Sequence, residues 1–266
     1  TGKIVEYFGE GARSMSTTSK GTITNMGAEI GATTSTFGYD DTMDSYLRQT
    51  DRSNAADLCK KYVECLVSDE DCEKNPEKYY DKVYEIDLST LEPHIVGPHT
   101  PDLGRSVSEM KSDAEKNNYP LEVKAALIGS CTNSSYEDLT RAVSLVRQAK
   151  KAGLQVKSRL LITPGSERIH ETIKRDGFAK TLEEVGATIL TNACGPCIGQ
   201  WRRDNISKGD KNSILNTFNR NFPGRNDGNP DTLSFIASPE IAFALGLAGN
   251  LSFNPMHDEL EAGDGS

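Results

Sequence analysis

Short apolar runs alternating with stretches of helical periodicity organise the second half of the chain. Val123 to Ile128 (VKAALI) is continuous enough for a strand buried on both faces. A helix should follow, capped by Ser134 or Ser135, with Leu139, Ala142, Val143 and Val146 on its inner face. Arg159 to Thr163 (RLLIT) predicts a second strand, and Pro164-Gly165-Ser166-Glu167 turns the chain into a helix that stops near Gly177. Ala187 to Leu190 (ATIL) and Ser213 to Phe218 (SILNTF) predict two more strands. Ser238-Pro239-Glu240 opens a final helix, with serine as cap and proline in the first turn. Strands alternating with helices predict an α/β fold with a mainly parallel sheet and flanking helices.

The first third is less regular. Ser53 is placed to cap a helix in which Ala55, Leu58, Cys59, Tyr62, Val63 and Leu66 form one broad apolar side. The polar stretch Ser68 to Glu77 (SDEDCEKNPE) reads as an exposed loop or insertion. Val83, Tyr84, Ile86 and Leu88 suggest a strand before Pro93. The Pro-rich segment Pro93 to Pro101 marks a domain boundary, giving expected domains 1–92 and 93–266. The acidic end, His257 to Ser266, reads as a frayed tail or a truncation point.

Composition narrows the function classes. The 266 residues are enough for two ordinary domains. A net charge of −9, from 30 basic and 39 acidic side chains, argues against a nucleic-acid surface, which needs clustered Lys and Arg. No apolar run is long enough to span a membrane, and no secretory signal pattern opens the chain. It starts at Thr1 rather than Met, and Thr1-Gly2-Lys3-Ile4-Val5 reads like the middle of a domain. The expectation is a piece of a longer polypeptide. A chain of this length does not need disulfide staples, so metal binding or redox chemistry is the better reading for some of its six cysteines. Cys59, Cys65 and Cys72 carry no motif and read as free structural thiols. His94, His99, His170 and His257 also stand outside any motif, and Ser166-Glu167 reads as a helix start.

Three polar motifs follow expected strands, and open parallel sheets bind ligands outside the carboxyl ends of their strands. Cys131-Thr132-Asn133 comes after the strand ending at Ile128. Cys194-Gly195-Pro196-Cys197 follows the one ending near Leu190, and Asn219-Arg220 with Arg225 follows Phe218. They can converge on one crevice. A lone C-x-x-C fits half of a zinc site or a redox pair equally well. Three thiolates on a cubane cluster would leave one iron without a protein ligand, whereas electron-transfer clusters usually take four cysteines. Two arginines nearby suit a polycarboxylate, since each guanidinium can take a carboxylate bidentately.

The flanking residues narrow this further. The segment Ile128-Gly129-Ser130-Cys131-Thr132-Asn133-Ser134-Ser135-Tyr136-Glu137-Asp138 resembles the first cluster-ligand motif of the aconitase family. Asn192-Ala193-Cys194-Gly195-Pro196-Cys197-Ile198-Gly199-Gln200-Trp201 resembles the second. Asn219-Arg220-Asn221-Phe222 through Gly224-Arg225-Asn226-Asp227 resembles the substrate-arginine segment, and Asn25-Met26-Gly27-Ala28-Glu29-Ile30-Gly31-Ala32 a motif of the preceding domain. The similarity runs from Thr1 to about Pro255, in the order found in the mitochondrial-type branch.

The resemblance implies that Cys131, Cys194 and Cys197 ligate a 4Fe-4S cluster and that Arg220 and Arg225 bind substrate carboxylates. Asn25 and Asn219 would support the cluster by hydrogen bonding, and Glu29 would belong to the active-site network. The implied reaction interconverts citrate, cis-aconitate and isocitrate in the mitochondrial matrix. No residue here matches the family's serine base. That base is expected on another domain of the same polypeptide, so the 266 residues alone are expected to be inactive. The chain would correspond to the C-terminal part of the second domain and most of the third. Ser16 to Thr24 (STTSKGTIT), a longer Ser68 to Glu77 loop, and Gly38 where proline is common depart from the family pattern. They leave room for a homoaconitase-like paralogue acting on homocitrate. A cluster-sensing RNA-binding regulator of the same superfamily is the alternative from another class.

Overall fold

The computed structural model describes residues 2–263 as two compact units, the first ending at Leu91 and the second beginning at Glu92. In the first unit, β1 (Lys3–Tyr7) is followed by α1 (Glu10–Ser14), α2 (Thr17–Met26), β2 (Ala32–Phe37) and α3 (Asp41–Gln49). Then come α4 (Ser53–Lys61), α5 (Glu70–Lys74) and α6 (Pro76–Tyr79). β1 and β2 pair in parallel as a two-stranded sheet.

Three expectations fail in this unit. Ser53 does not cap α4; it is the first helical residue, and Arg52 holds the cap position without a side-chain bond. The helix ends at Lys61, and Leu58, Tyr62, Val63 and Leu66 are exposed, with Ala56 the buried hydrophobic of that helix. Ser68 to Glu77 is not a plain loop, because an acidic first turn starts α5 and Pro76 opens α6. Val83 to Leu88 forms no strand; Tyr84 and Ile86 are 80% and 68% exposed, unlike the inner face of a half-buried strand.

The second unit runs β3 (His94–Val96), β4 (Gly104–Ser106), α7 (Val107–Asn117), β5 (Val123–Gly129), α8 (Tyr136–Lys151) and β6 (Arg159–Thr163). It continues with α9 (Glu167–Arg175), α10 (Phe178–Glu183), β7 (Thr188–Ile189), β8 (Asn212–Asn216), β9 (Thr232–Ile236) and α11 (Pro239–Ala248). The seven strands lie in the order β4-β3-β9-β8-β5-β6-β7. β9, β8, β5, β6 and β7 are parallel, and β3 and β4 form an antiparallel edge. The α/β class and the mainly parallel sheet are as the sequence predicts.

Apolar burial explains this order. One face of the sheet packs Ala126, Ile128, Leu160 and Ile162 against Leu139, Val143 and Val146 of α8 and Ala242 and Phe243 of α11. The opposite face packs Ala125, Leu127, Leu161, Ile214 and Phe218 against Cys197 and Trp201. Gly246 lets α11 press on β5, since a Cβ there would stand 2.8 Å from that of Ala126. The expected caps Ser135 and Ser238 each accept a backbone N–H in the first turn of α8 and α11, and Ser166, at the expected helix start, caps α9 in the same way. The acidic end is not frayed over 257–263. Leu260 packs against the core, and the Gly263 amide donates to the Ala152 carbonyl at 3.0 Å. Residues 264–266 lie outside the described residues.

No helix among the described residues is long and apolar enough to cross a membrane.

Candidate metal centre

β5 and β8 are neighbours whose chains leave in opposite directions, towards β6 and towards β9. Such a switch point opens a crevice beyond the carboxyl ends of the two strands. The loop carrying Cys131 leaves β5 there, and the loop carrying Asn219, Arg220 and Arg225 leaves β8. Backbone strain turns the first loop sharply. Gly129 and Ser130 both have left-handed φ values, 128° and 66°. At Gly129 a Cβ would fall 2.0 Å from the Thr163 carbonyl oxygen, so only glycine fits. Ser130 holds φ in a region that non-glycine residues rarely adopt, a feature that clusters at functional sites. Its amide donates to the Thr163 carbonyl at 3.1 Å.

Thr217, fully buried, binds the two loops together. Its hydroxyl accepts from the Gly129 amide (2.9 Å), and its carbonyl accepts from the Asn133 side chain (2.9 Å). Next to it, Asn216 donates to the Ser234 hydroxyl (2.7 Å) and to the Phe235 carbonyl (3.0 Å). The sequence motifs do not flag either residue; a polar pair directly after the apolar Ile214-Leu215 of β8 is the signal that could have found them.

Cys194 and Cys197 come from the segment after β7. Pro196 and Gly195 wind a single 3-10 turn over Gly195–Ile198, closed by the Cys197 amide on the Cys194 carbonyl at 2.7 Å. Gly199 ends the turn with φ 84°. The segment then returns across the sheet, so that Cys197 is buried against Leu127 and Phe218 while Cys131 and Cys194 stay exposed. Turned so that both amide atoms are satisfied, Asn192 donates to Glu167 Oε2 at 3.1 Å and accepts from the Glu167 amide at 3.2 Å. Glu167 is therefore more than a helix start.

The Cys197 sulfur is where the motifs meet. Burial pushes its thiol up, while a hydrogen bond from Ser130, the positive charge of Arg225 and a hydrogen bond from Arg225 pull it down. Cys131 is close enough to push it up again. Arg225 is half-buried, its amide closing a turn on the Phe222 carbonyl at 2.9 Å. Its Nε is buried without a hydrogen-bond acceptor. Such a donor costs about 1–3 kcal/mol unless something binds there.

Among the described residues, the only trio of ligand atoms lying within 4.8 Å of one another is Glu167, His170 and Glu171. The three cysteine sulfurs do not form such a trio. Three thiols are a donor set that can take one iron each of a cluster. Asn25 and Glu29 belong to the first unit. Asn25 is in the last turn of α2, and Glu29 lies beyond it, its amide donating to the Met26 carbonyl at 3.0 Å. Both are half-buried and engaged in interactions.

The fold and the gathered groups define a class: a parallel α/β protein that collects thiols and guanidinium groups at the carboxyl ends of its strands. The comparisons narrow the class to one family. The model of the aconitase family (aconitate hydratase) matches residues 1–249, and the chain belongs to that family. It is 55% identical over 267 residues to the aconitate hydratase, mitochondrial, of Saccharomyces cerevisiae, and 55% identical over 266 residues to that of Candida albicans. It is 53% identical over 266 residues to a probable mitochondrial aconitate hydratase of Caenorhabditis elegans. Each match covers 100% of this chain and 34% of the relative, so the chain spans about a third of the length of these proteins.

Proposed function

We propose that this chain supplies the cluster-holding and carboxylate-binding part of a mitochondrial hydro-lyase that interconverts citrate and isocitrate through cis-aconitate. The observation that carries the reading is the Cys197 sulfur, buried beside Ser130, Arg225 and Cys131 at the end of a parallel sheet. Cys131, Cys194 and Cys197 would hold a 4Fe-4S cluster. When bound, such a cluster keeps one iron without a protein thiolate and supplies a Lewis acid for substrate oxygens.

The chain's own residues do the rest of the local work. Burial raises the Cys197 thiol overall, and the Ser130 hydroxyl and the Arg225 charge offset part of that rise towards the thiolate, the form that ligates. Arg225, with a buried Nε–H lacking an acceptor, can take a substrate carboxylate. Arg220, five residues earlier in the same loop, would take a second. Asn219 sits beside it after β8 and would support the cluster by hydrogen bonding. Asn25 would act likewise, and Glu29 would join the active-site network, once the complete polypeptide is assembled. Residues 1–92 would form the C-terminal part of the family's second domain and 93–266 most of its third. No residue of this chain is assigned as the base that removes a proton from carbon, a step that needs a positioned acceptor. We assign that base to the remaining domains of the polypeptide. The relatives' names call them mitochondrial, which supports a location in mitochondria; we assign the matrix within it.

The test uses the full-length protein, purified without air. It should convert citrate and isocitrate, followed by the ultraviolet absorbance of cis-aconitate. A cluster-loaded protein that turns over homocitrate in preference would make it a homoaconitase. One that converts none of these acids would overturn the reading.

A further inference from the structure

Beyond the ligating and substrate-binding residues, the two loops that carry them are joined by a buried ion pair. Arg203 lies six residues after Cys197, and Asp227 two residues after Arg225. Their side chains are 4% and 2% exposed, making this the most buried ion pair among the described residues of the unit, and Arg203 Nη1 meets Asp227 Oδ2 at 2.9 Å.

Every other contact of the pair fixes its geometry. The same nitrogen of Arg203 donates to Asn212 Oδ1 at 2.8 Å, tying it to the first residue of β8. Its guanidinium lies over the Trp201 ring, 5.0 Å from the centroid, and Trp201 packs in the same apolar cluster as Cys197. Asp227 Oδ2 also accepts from the Thr232 hydroxyl at 2.8 Å, at the first residue of β9, and Oδ1 accepts from the Asn229 amide at 3.0 Å. A second bond runs in parallel: Asn226, 2% exposed, donates to the Pro196 carbonyl at 3.1 Å, inside the Cys194–Cys197 turn. The loops touch again at Gly199, where a Cβ would stand 3.4 Å from the Arg225 carbonyl oxygen.

A buried, hydrogen-bonded ion pair is a poor device for stability alone, since apolar residues of similar volume often serve as well or better. What it adds is a fixed geometry. From this we propose that Arg203 and Asp227 are positioning residues: they hold the cluster-ligand turn and the substrate arginine in register. Arg225 follows Phe222 through a tight turn and lies two residues before Asp227, so a shift of the Asp227 carboxylate moves its backbone directly. Misplacement by about 1 Å can cost a reaction up to about a hundredfold. The proposal rests on the function proposed above, because only a cluster and a carboxylate substrate give the register something to serve.

The experiment compares full-length holoenzyme with its Asp227→Asn and Arg203→Lys variants. KM and kcat for isocitrate are read together with the rate at which a mild oxidant removes iron, followed by the EPR signal of the three-iron form. Asp227→Asn should raise KM about tenfold or more and speed iron loss at least about threefold. Arg203→Lys keeps the charge but loses the planar fork, and should shift both readings in the same direction by about threefold. Should Asp227→Asn fail to fold, Arg203→Lys decides alone. A pair that serves stability only would lower the melting temperature and leave KM and iron loss at wild-type values, which would overturn the proposal. If the wild type itself holds no cluster or converts no citrate, the functional reading fails instead.

Discussion

The two units of this chain are built on different principles. All three apolar clusters lie in the second unit. In the first, Ala56 is the one buried hydrophobic side chain among the described residues, and the other two buried side chains are Lys20 and Asp44. Polar devices hold that unit together. Asp40 caps α3 through Thr42 and Met43 while pairing with Lys20, Asp44 pairs with Arg48 at 2.9 Å, and Glu6 accepts from Tyr80 at 2.8 Å. Tyr7 and Phe37 stack across β1 and β2, with centroids 4.7 Å apart. Ile4 remains 70% exposed, on a two-stranded parallel sheet of a kind that seldom stands alone. A pattern of apolar residues becomes structure only where there is something to bury it against. The second unit supplies that within its own sequence, and the first does not.

The largest effect should come from cutting into the second unit's core. Phe243→Ala removes a ring that is 1% exposed and should cost about 3–5 kcal/mol. Trp201, the single tryptophan of this chain, reports that unfolding by fluorescence in urea. A loss under about 1 kcal/mol would mean the core is not where the stability resides.

Next comes the polar frame of the first unit. Asp40→Ala strips the α3 cap and leaves Lys20, 3% exposed, without its carboxylate, which should cost about 3 kcal/mol. Amide exchange over residues 17–49 should accelerate while the Trp201 transition stays in place. If the Trp201 transition moves with it, the two units do not differ in the way described.

Acid should separate the units more gently. Burial pushes the Asp40 carboxyl up, but hydrogen bonds from Lys20, Thr42 and Met43 outweigh it and hold it below its usual range. A carboxyl lowered on folding contributes stability that is present above its unfolded value, about 3.9, and is lost as pH falls through the folded one. Below about pH 4 the exchange of α3 amides should therefore rise well before that of β5 amides. Equal onset in both would count against a polar frame. The smallest effect belongs to Leu58→Ala on α4, 59% exposed, which should change stability by no more than about 0.5 kcal/mol.

The same contrast decides what the sequence reveals. VKAALI and RLLIT are legible as β5 and β6 because strands buried on both faces are continuously apolar. Three serine caps are legible because their signal is local. Val83, Tyr84, Ile86 and Leu88 show the same alternation as a strand and form none; Tyr84, Ile86 and Leu88 stay exposed. β9 (TLSFI) hides in the opposite way, its Thr232 and Ser234 being buried by hydrogen-bond partners on the neighbouring strand β8, Asn212 and Asn216. α7 carries a capping box, Ser106 with Glu109, that a closer reading of the sequence could have used. For the site, the motifs and their strand ends are visible in the sequence. Thr217 and the Arg203–Asp227 pair are not, because their partners lie far away along the chain.

The central claim is that Cys131, Cys194 and Cys197, and not Cys59, Cys65 or Cys72, hold a cluster. Iron and acid-labile sulfide per chain, measured on the full-length protein purified without air, test it most directly. Cys194→Ser should lose the cluster, since two thiolates do not retain it, whereas Cys59→Ser should match the wild type. Full iron and sulfide in the Cys194→Ser protein would contradict the account.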